Sequence, residues 1–314
     1  MSLRWRRLVL AAVACVLCLS GVGRPAAAEP AAAGDLTYRI YLPMQFRSSP
    51  QGCLPIPEEV YYAIPVHGLY PDSAPAELHP DLNLALRSYR ENLTAYRGLV
   101  DYNGDFDDQA PRLQSLFGDD RWPGIARVYQ VNDWDGSWPW VYRDDFITVP
   151  SVTLAGMIST PGEKVRVPYR PAEIFHDTVT GRHYVAMVLY AAPDRITLKY
   201  TRDDHVIEGY TIHIEGICVE PRLVALYSET NAAGRSYLPG LQFGQAIGRA
   251  VGSELGVAIR DRGSFMDPRS RKDWWQGLSA SSALDIPLLD ARDEDWYREQ
   301  QAWLAAQEAL ETER

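Results

Sequence analysis

The stretch EGYTIHIEGI, residues 208–217, decides the fold class. Apolar side chains occupy every second position in its central part. Alternation with a period of two is typical of a β-strand that has two different faces. His213 and Glu215 stand two positions apart, so the pattern predicts that an imidazole and a carboxylate share one strand face.

Similar short runs surround this stretch on both sides. They cover residues 152–158, 164–167, 184–190, 195–200 and 255–260. Turn-forming pairs such as Pro161-Gly162 and Gly252-Ser253 separate them. Many short strands at this spacing indicate a β-sandwich or barrel. Residues 222–233 interrupt the strands with a helical period, and Gly234 is a typical stop for such a helix.

The rest of the chain divides by composition. Residues 58–150 form a smaller β region that precedes the sandwich, which we place at residues 151–278. Residues 29–57 are a proline-rich linker or arm. Residues 279–314 contain an acidic amphipathic helix, because apolar side chains recur there at three- and four-residue steps. The predicted fold class is therefore mainly β, with a C-terminal α-helix.

Residues 1–28 have the organisation of a secretory signal peptide. Three arginines within residues 4–7 precede an apolar run, and three alanines end the segment as a small-residue cleavage site. Two alternatives stay open: a lipoprotein signal in which Cys15 carries the anchor, and an uncleaved N-terminal anchor. No later segment approaches 18 consecutive apolar residues, so no membrane span is predicted after cleavage. The predicted location is secreted or cell-envelope.

The charge balance argues against a nucleic-acid partner. The chain has 31 Lys and Arg against 41 Asp and Glu, a formal net charge of −10 over 314 residues. Removing residues 1–28 takes away four arginines and no acid, which leaves 27 basic residues and a net charge of −14. A chain of this charge repels a phosphate backbone.

Four cysteines are present, and the predicted cleavage removes two of them. Cys53 and Cys218 remain. Two cysteines in an exported protein most simply form one disulfide. The alternative is a pair of buried free thiols.

Several short motifs follow one another between residues 160 and 270. They are Gly-Glu-Lys-Val at 162–165, Tyr-Thr-Ile-His at 210–213, Gly-Gln-Ala-Ile-Gly at 244–248, and Gly263 followed by Asp267-Pro268. Together they resemble the lysostaphin-type metalloendopeptidases. That family consists of secreted zinc enzymes that cut peptidoglycan cross-bridges on a small β-sandwich of duplicated hybrid type. The resemblance implies the same kind of sandwich for residues 160–270.

The metal chemistry of that family does not carry over to this chain. Glu254 and Gly256 stand where the family has the histidines of an H-x-H strand, and Ala258 replaces its following Glu. A carboxylate can ligate zinc, but glycine offers no side-chain ligand atom. His213 lies near the position of the family's Tyr-x-x-x-His motif, and Glu215 lies closer to it. The resemblance therefore implies the scaffold without its metal site.

A rearranged site is the alternative. His176 and His183 lie on the preceding predicted hairpin. Together with His213 and Glu215 they are the candidate catalytic residues of a rebuilt metal or acid–base site. The competing interpretation places His213 and Glu215 on the solvent face of a strand.

Aromatic side chains concentrate around an acidic turn at residues 133–135. Rings edged by carboxylates suit stacking on sugars while their hydroxyls are hydrogen-bonded. The candidate ligand-binding residues are Trp134, Trp138, Trp140, Tyr129 and Tyr210. The alternative is that these rings fill the interface between the two β regions.

Residues 101–107 carry acidic or amide side chains at every second position, like the first ligands of a calcium loop. The sixth position is Phe106 instead of Gly, and the twelfth is Arg112 instead of Glu. The stretch therefore predicts an acidic hairpin turn and not an EF-hand.

We therefore predict a secreted or cell-envelope protein whose peptidase-like domain is degenerate and non-catalytic. Its expected partner is a cell-wall glycan or peptide, or an envelope protein. No metal and no cofactor are predicted, with zinc or calcium as alternatives. The alternative function is a zinc-dependent peptidoglycan hydrolase with a rearranged site.

Overall fold

The computed structural model describes residues 53–68, 74–134, 145–276 and 278. Within these ranges the chain is mainly β, which confirms the prediction made from the alternating runs. The predicted signal peptide, most of the proline-rich arm and the predicted C-terminal helix lie outside the described residues.

The described strands belong to three antiparallel sheets. In chain order they are β1 (Tyr62–Pro65), β2 (Tyr89–Glu91), β3 (Ile125–Val131), β4 (Leu154–Ile158), β5 (Lys164–Arg166), β6 (Phe175–Asp177), β7 (Arg182–Tyr184), β8 (Ala186–Ala192), β9 (Arg195–Lys199), β10 (Tyr210–Glu215), β11 (Ile217–Val219), β12 (Tyr237–Leu241), β13 (Ala246–Ala250), β14 (Glu254–Asp261) and β15 (Ser264–Met266). The helices of the same ranges are α1 (Pro221–Ala232), the single turn α2 (Arg271–Trp274) and three 3-10 helices at Ala76–Leu78, Leu84–Arg87 and Leu113–Phe117.

The largest sheet has ten strands in the order β1-β12-β8-β9-β10-β14-β4-β3-β2, and β15 pairs with β14 outside this order. It is open, with β1 and β2 at its edges, and does not close into a barrel. The predicted boundary at residue 150 falls between β3 and β4, which are paired neighbours in this sheet. The smaller β region and the region after it therefore share one sheet.

The main apolar core lies on one face of the large sheet. Leu198 of β9 and Ile212 of β10 belong to the same buried cluster as Val165 and Ile247. The last two come from β5 and β13, which form a second sheet in the order β11-β13-β5. The core is thus shared by two sheets, and its burial is the main stabilising contribution to the fold.

Cys53 and Cys218 form a disulfide, with their Cα atoms 5.5 Å apart, which confirms the predicted pairing. The bond attaches the residues that precede β1 to β11. The backbone N–H of Ile56 strengthens this attachment by donating to the carboxylate of Glu220 over 3.2 Å. Glu220 also caps the first turn of α1, the helix that the sequence predicts at residues 222–233.

The opposite face of the large sheet is also buried. Thr211, His213 and Glu215 of β10 lie on this face, and each is at most 3% exposed. Residues 79–87 cover it, and the Thr197 hydroxyl of β9 donates to the carbonyl of Leu82 in that segment over 2.6 Å. His213 and Glu215 therefore lie inside the protein. The interpretation that they face solvent is wrong, because the period of a strand does not reveal what covers each face.

Candidate functional site

Two arginines meet one carboxylate on the buried polar face. Arg87 Nη2 and Arg260 Nη1 each donate to Oδ1 of Asp81 over 2.6 Å. The side chains of Arg87 and Arg260 are 5% and 6% exposed. Burial by itself raises the pKa of Asp81. The two guanidinium groups lower the pKa by a larger amount, so the pKa of this carboxyl lies well below its usual range.

This triad carries more positive than negative charge. Two guanidinium groups share a single carboxylate, and burial is the main reason that the pKa of Arg87 is lowered. Arg260 also donates from Nε to the carbonyl of Gly263 over 2.8 Å. The Nε of Arg87 is buried and has no hydrogen-bond partner among the described residues. This excess favours an anion nearby, and the exposed carboxylate of Asp133, whose charge also acts on Arg87, supplies part of that negative charge.

Aromatic rings enclose the two guanidinium groups. The guanidinium carbon of Arg87 lies 5.5 Å from the ring centroid of Trp134 and 5.3 Å from that of Phe265. The guanidinium carbon of Arg260 lies 4.7 Å from the ring of Phe265. Cation–π contacts at these distances orient the arginines and hold the rings beside them.

A pocket of about 310 Å³ opens beside this cluster. This volume is at the lower end of the range for small-molecule sites, which is roughly 300–1,000 Å³. The described residues that line it are Arg87, Asp133, Trp134, Ile147, Val149, Arg260, Gly263, Ser264 and Phe265. The pocket therefore combines two guanidinium groups with aromatic and aliphatic walls, and one exposed carboxylate, that of Asp133.

His213 is fully buried and neutral, and its ring centroid lies 6.4 Å from that of the pocket residue Phe265. Its Nδ1 lies 3.0 Å from the hydroxyl of Thr197, which already donates its proton to Leu82. The imidazole must therefore donate from Nδ1, and Nε2 is an acceptor without a partner among the described residues. Burial, followed by the charge of Arg260, lowers the pKa of His213 well below its usual value.

Glu215 has a separate environment on the same strand. Its Oε2 lies 3.2 Å from Nε of Arg195. Burial raises the pKa of Glu215 to about 7, although Arg195 opposes this shift. His213 and Glu215 thus share a strand face but interact with different arginines.

The other two candidate catalytic residues lie on an exposed hairpin. His176 of β6 and His183 of β7 are directly opposite each other in the β6–β7 pairing. In the part of the chain that the structure describes, His176 and His183 form a possible metal-ligand cluster with Glu173, and His213 and Glu215 do not join it. The prediction of one rearranged site from all four residues is therefore wrong, because two of them are buried and two face solvent.

Glu173 is not among the site residues predicted from the sequence. Asp177, which is adjacent to His176, instead accepts hydrogen bonds from the backbone N–H groups of Val179 and Thr180 in the hairpin turn. Glu173 precedes His176 by three positions and reaches His183 across the hairpin. This contact depends on the pairing of the two strands, so no local sequence motif predicts it.

The predicted aromatic binding residues do not form one site. Trp134 lines the pocket, whereas Trp138 and Trp140 lie outside the described residues. Tyr129 is fully buried, and its hydroxyl donates to Glu254 over 2.6 Å. Tyr210 is 9% exposed and donates to Asp107 over 2.7 Å. Neither tyrosine can stack on a ligand in this arrangement, because both rings are packed inside the protein.

Two acidic side chains of residues 101–107 form hydrogen bonds with distant residues instead of facing a common calcium site. The carboxylate of Asp101 accepts two hydrogen bonds from Arg271, each of 2.9 Å. The carboxylate of Asp107 accepts the hydroxyl of Tyr210. These two potential calcium ligands therefore point to different partners in the body of the protein.

Of the pocket residues, only Trp134 was predicted from the sequence. Asp81, Arg87 and Arg260 belong to no local motif, since the first two lie in the covering segment and the third on β14. For Arg260, the sequence shows only a charged residue at the end of an apolar strand pattern. Such residues are common at strand ends exposed to solvent, so the pattern does not identify a buried site.

A scan against protein-family models, a search of curated proteins and a search of solved structures each find no match to this chain. The resemblance to lysostaphin-type peptidases therefore stays a prediction. At the two H-x-H positions, the Glu254 carboxylate accepts hydrogen bonds from Tyr129 and Arg127, and Gly256 pairs with Gly156 of β4. Among the described residues, no helix is long and apolar enough to cross a membrane.

Proposed function

We propose that this chain is an exported, non-catalytic binding protein of the cell envelope, and that its pocket takes a ligand bearing a carboxylate. The observation that carries the proposal is the pair Arg87 and Arg260, which share the carboxylate of Asp81 and line a pocket of about 310 Å³. An acidic cell-wall glycan and a peptide C-terminus both present the required group.

The arginines support a carboxylate for an electrostatic reason. Guanidinium groups bind carboxylates in a planar, two-bond geometry, and such bonds are stronger than those between neutral groups. In the pocket, partial exclusion of water increases this attraction. Asp133 also lines the pocket, and its charge favours a ligand that keeps its own carboxylate on the arginine side.

The walls support a ligand with an apolar face beside its charge. Trp134, Ile147 and Val149 offer partly exposed apolar surface, and Phe265, which is 5% exposed, contributes a small part of its ring. A sugar ring or a small peptide side chain can pack against such walls. Together, walls and arginines favour an organic acid over an inorganic anion.

Two observations support export and a non-catalytic role. A disulfide is typical of oxidising compartments outside the cytosol, and it accompanies a sequence with the features of a signal peptide. His213, the one histidine kept from the peptidase pattern, is fully buried, and burial together with the charge of Arg260 lowers its pKa well below the usual value. An imidazole with so low a pKa is a weak proton acceptor, which disfavours a role as general base.

Calorimetric titration of the mature protein tests the proposal. The ligands are an oligosaccharide of uronic acid, its methyl ester, a short peptide with a free C-terminus and its C-terminal amide. We expect the uronic acid oligosaccharide, the peptide with a free C-terminus, or both to bind, with an affinity that falls as the salt concentration rises. The methyl ester and the C-terminal amide should not bind. Equal binding of acid and ester, or of acid and amide, contradicts a carboxylate site.

A variant that fills the pocket provides the structural control. Ser264 lines the pocket, and its side chain makes no hydrogen bond to the other described residues, so Ser264→Trp should block ligand without removing an arginine. The matched control is Ser228→Trp on the exposed face of α1. Binding that persists in Ser264→Trp overturns the assignment of the pocket. Release of soluble fragments from purified peptidoglycan by the wild-type protein overturns the non-catalytic role and favours a hydrolase.

A further inference from the structure

The hairpin of β6 and β7 brings three metal-ligating side chains together on its exposed face. The ring centroids of His176 and His183 are 4.1 Å apart, and the rings are inclined by 19°. The carboxylate of Glu173 contacts Nδ1 of His183. One ligand atom from each of the three residues lies within 4.8 Å of the other two.

We propose that Glu173, His176 and His183 bind one transition-metal ion of the Zn²⁺ type. Two imidazole nitrogens and one carboxylate oxygen are a donor set that Zn²⁺ accepts in a tetrahedral site, with a fourth position left for water or an external group. Calcium and magnesium prefer oxygen ligands only, so the two imidazoles disfavour them.

The spacing of the ligand atoms requires only a small closure. Bonds of about 2.0–2.1 Å in a tetrahedral site place neighbouring ligand atoms about 3.3 Å apart. In this structure the three ligand atoms lie within 4.8 Å of one another. Rotation of the side chains can bring them to the shorter distance. The side chains of His183 and Glu173 are 60% and 44% exposed, so surrounding atoms do not prevent such rotation.

The other face of the hairpin is held in place, which keeps the ligands together. The guanidinium carbon of Arg182 lies 4.1 Å from the ring centroid of Tyr62 on β1, and Arg182 Nη2 donates to the hydroxyl of that tyrosine. Phe175 and Tyr184 stack on each other with centroids 6.1 Å apart. Because β-strand side chains alternate between faces, these contacts leave the two histidines on the outward side. A ligand set on a fixed backbone loses less conformational freedom when the ion binds.

The proposal is independent of the carboxylate pocket, with which the cluster shares no residue.

The test is a titration of tag-free mature protein with Zn²⁺ by calorimetry, repeated with Co²⁺ to record its ligand-field absorption. We expect one ion per chain, and a loss of affinity of at least about tenfold in His176→Ala and in His183→Ala. The matched control is His67→Ala, because His67 is an exposed histidine, 74% accessible, beside a single carboxylate, that of Asp203. It should bind Zn²⁺ like the wild-type protein.

Three outcomes overturn the proposal. They are the absence of stoichiometric binding, unchanged affinity in both cluster variants, and an equal loss in His67→Ala. All three histidines are exposed, so the variants should keep the wild-type thermal midpoint, and a circular dichroism melt checks this. Carboxylate binding should be unchanged in His183→Ala, so failure of either proposal can be recognised separately.

Discussion

Arg260 on β14 donates from Nη1 to Oδ1 of Asp81 over 2.6 Å, although the two residues are 179 positions apart in the chain. The same oxygen accepts Nη2 of Arg87. One carboxylate thus attaches the covering segment to the strand beneath it and neutralises part of the charge of both arginines. The stability of this region and the proposed pocket depend on the same three side chains.

Removal of the shared carboxylate should destabilise the protein strongly. Asp81→Asn leaves two buried guanidinium groups without their counter-charge, which costs about 3–5 kcal/mol in comparable buried pairs. Urea denaturation at pH 7 measures the change. Asp105→Asn, at an exposed position, should change the free energy of unfolding by less than about 0.5 kcal/mol. Equal effects of the two substitutions would show that Asp81 is not a structural counter-ion.

The low pKa of Asp81 gives this prediction a pH dependence. A carboxyl group whose pKa is depressed by folding contributes stability above its unfolded pKa, and that contribution is lost as the pH falls through the folded pKa. The difference between wild type and Asp81→Asn should therefore be largest near neutral pH and smaller in acid.

Loss of the disulfide should lower the stability by about 2–5 kcal/mol. The bond between Cys53 and Cys218 spans 165 residues of sequence, so it restricts the unfolded chain considerably. The double variant Cys53→Ser, Cys218→Ser should unfold at lower urea concentration than the oxidised wild type. Reduction with dithiothreitol should bring the wild type to the same midpoint and leave the variant unchanged. A wild-type midpoint that does not respond to reduction contradicts the prediction.

Glu215 should make the protein less stable as the pH rises from about 4.5 to about 7. Burial raises the pKa of Glu215 to about 7, so in this interval the folded chain holds a proton that the unfolded chain has released. Relative to Glu215→Gln, the wild type should lose on the order of 1–3 kcal/mol between pH 5 and pH 8. Thermal melts of the two proteins across this range measure the difference. Glu229→Gln on α1, where the side chain is exposed, should show no such trend.

Lys199 should have the opposite pH dependence. It is fully buried on β9, and burial lowers the pKa of Lys199 to about 7. Above this value the unfolded chain binds a proton that the folded chain lacks, so wild-type stability increases as the pH rises from 7 toward 10. The stability of wild type relative to Lys199→Met should therefore increase by about 3 kcal/mol between pH 7 and pH 9.5. Lys164→Met, on the partly exposed β5, is the control, and an equal pH trend in both variants rejects the assignment.

The elements that depend on local pattern could be predicted from the sequence. The alternation in residues 208–217 indicated β10, the helical period at 222–233 indicated α1, and the two cysteines outside the predicted signal peptide indicated the disulfide. Each of these follows from the periodicity of a strand or helix, or from simple chemistry, and needs no knowledge of distant contacts.

The candidate sites depended on contacts between distant parts of the chain. The same alternation that identified β10 could not show that residues 79–87 cover its polar face. The sequence therefore left two interpretations of His213 and Glu215, a solvent-exposed strand face or a site shared with His176 and His183, and both are wrong. Likewise, Asp81 and Arg260 meet only because the covering segment crosses β14. The sequence by itself determined the strands, α1 and the disulfide, because backbone periodicity and thiol chemistry are local. Only the tertiary structure decided which charges were buried together, because burial depends on which segments pack against each other.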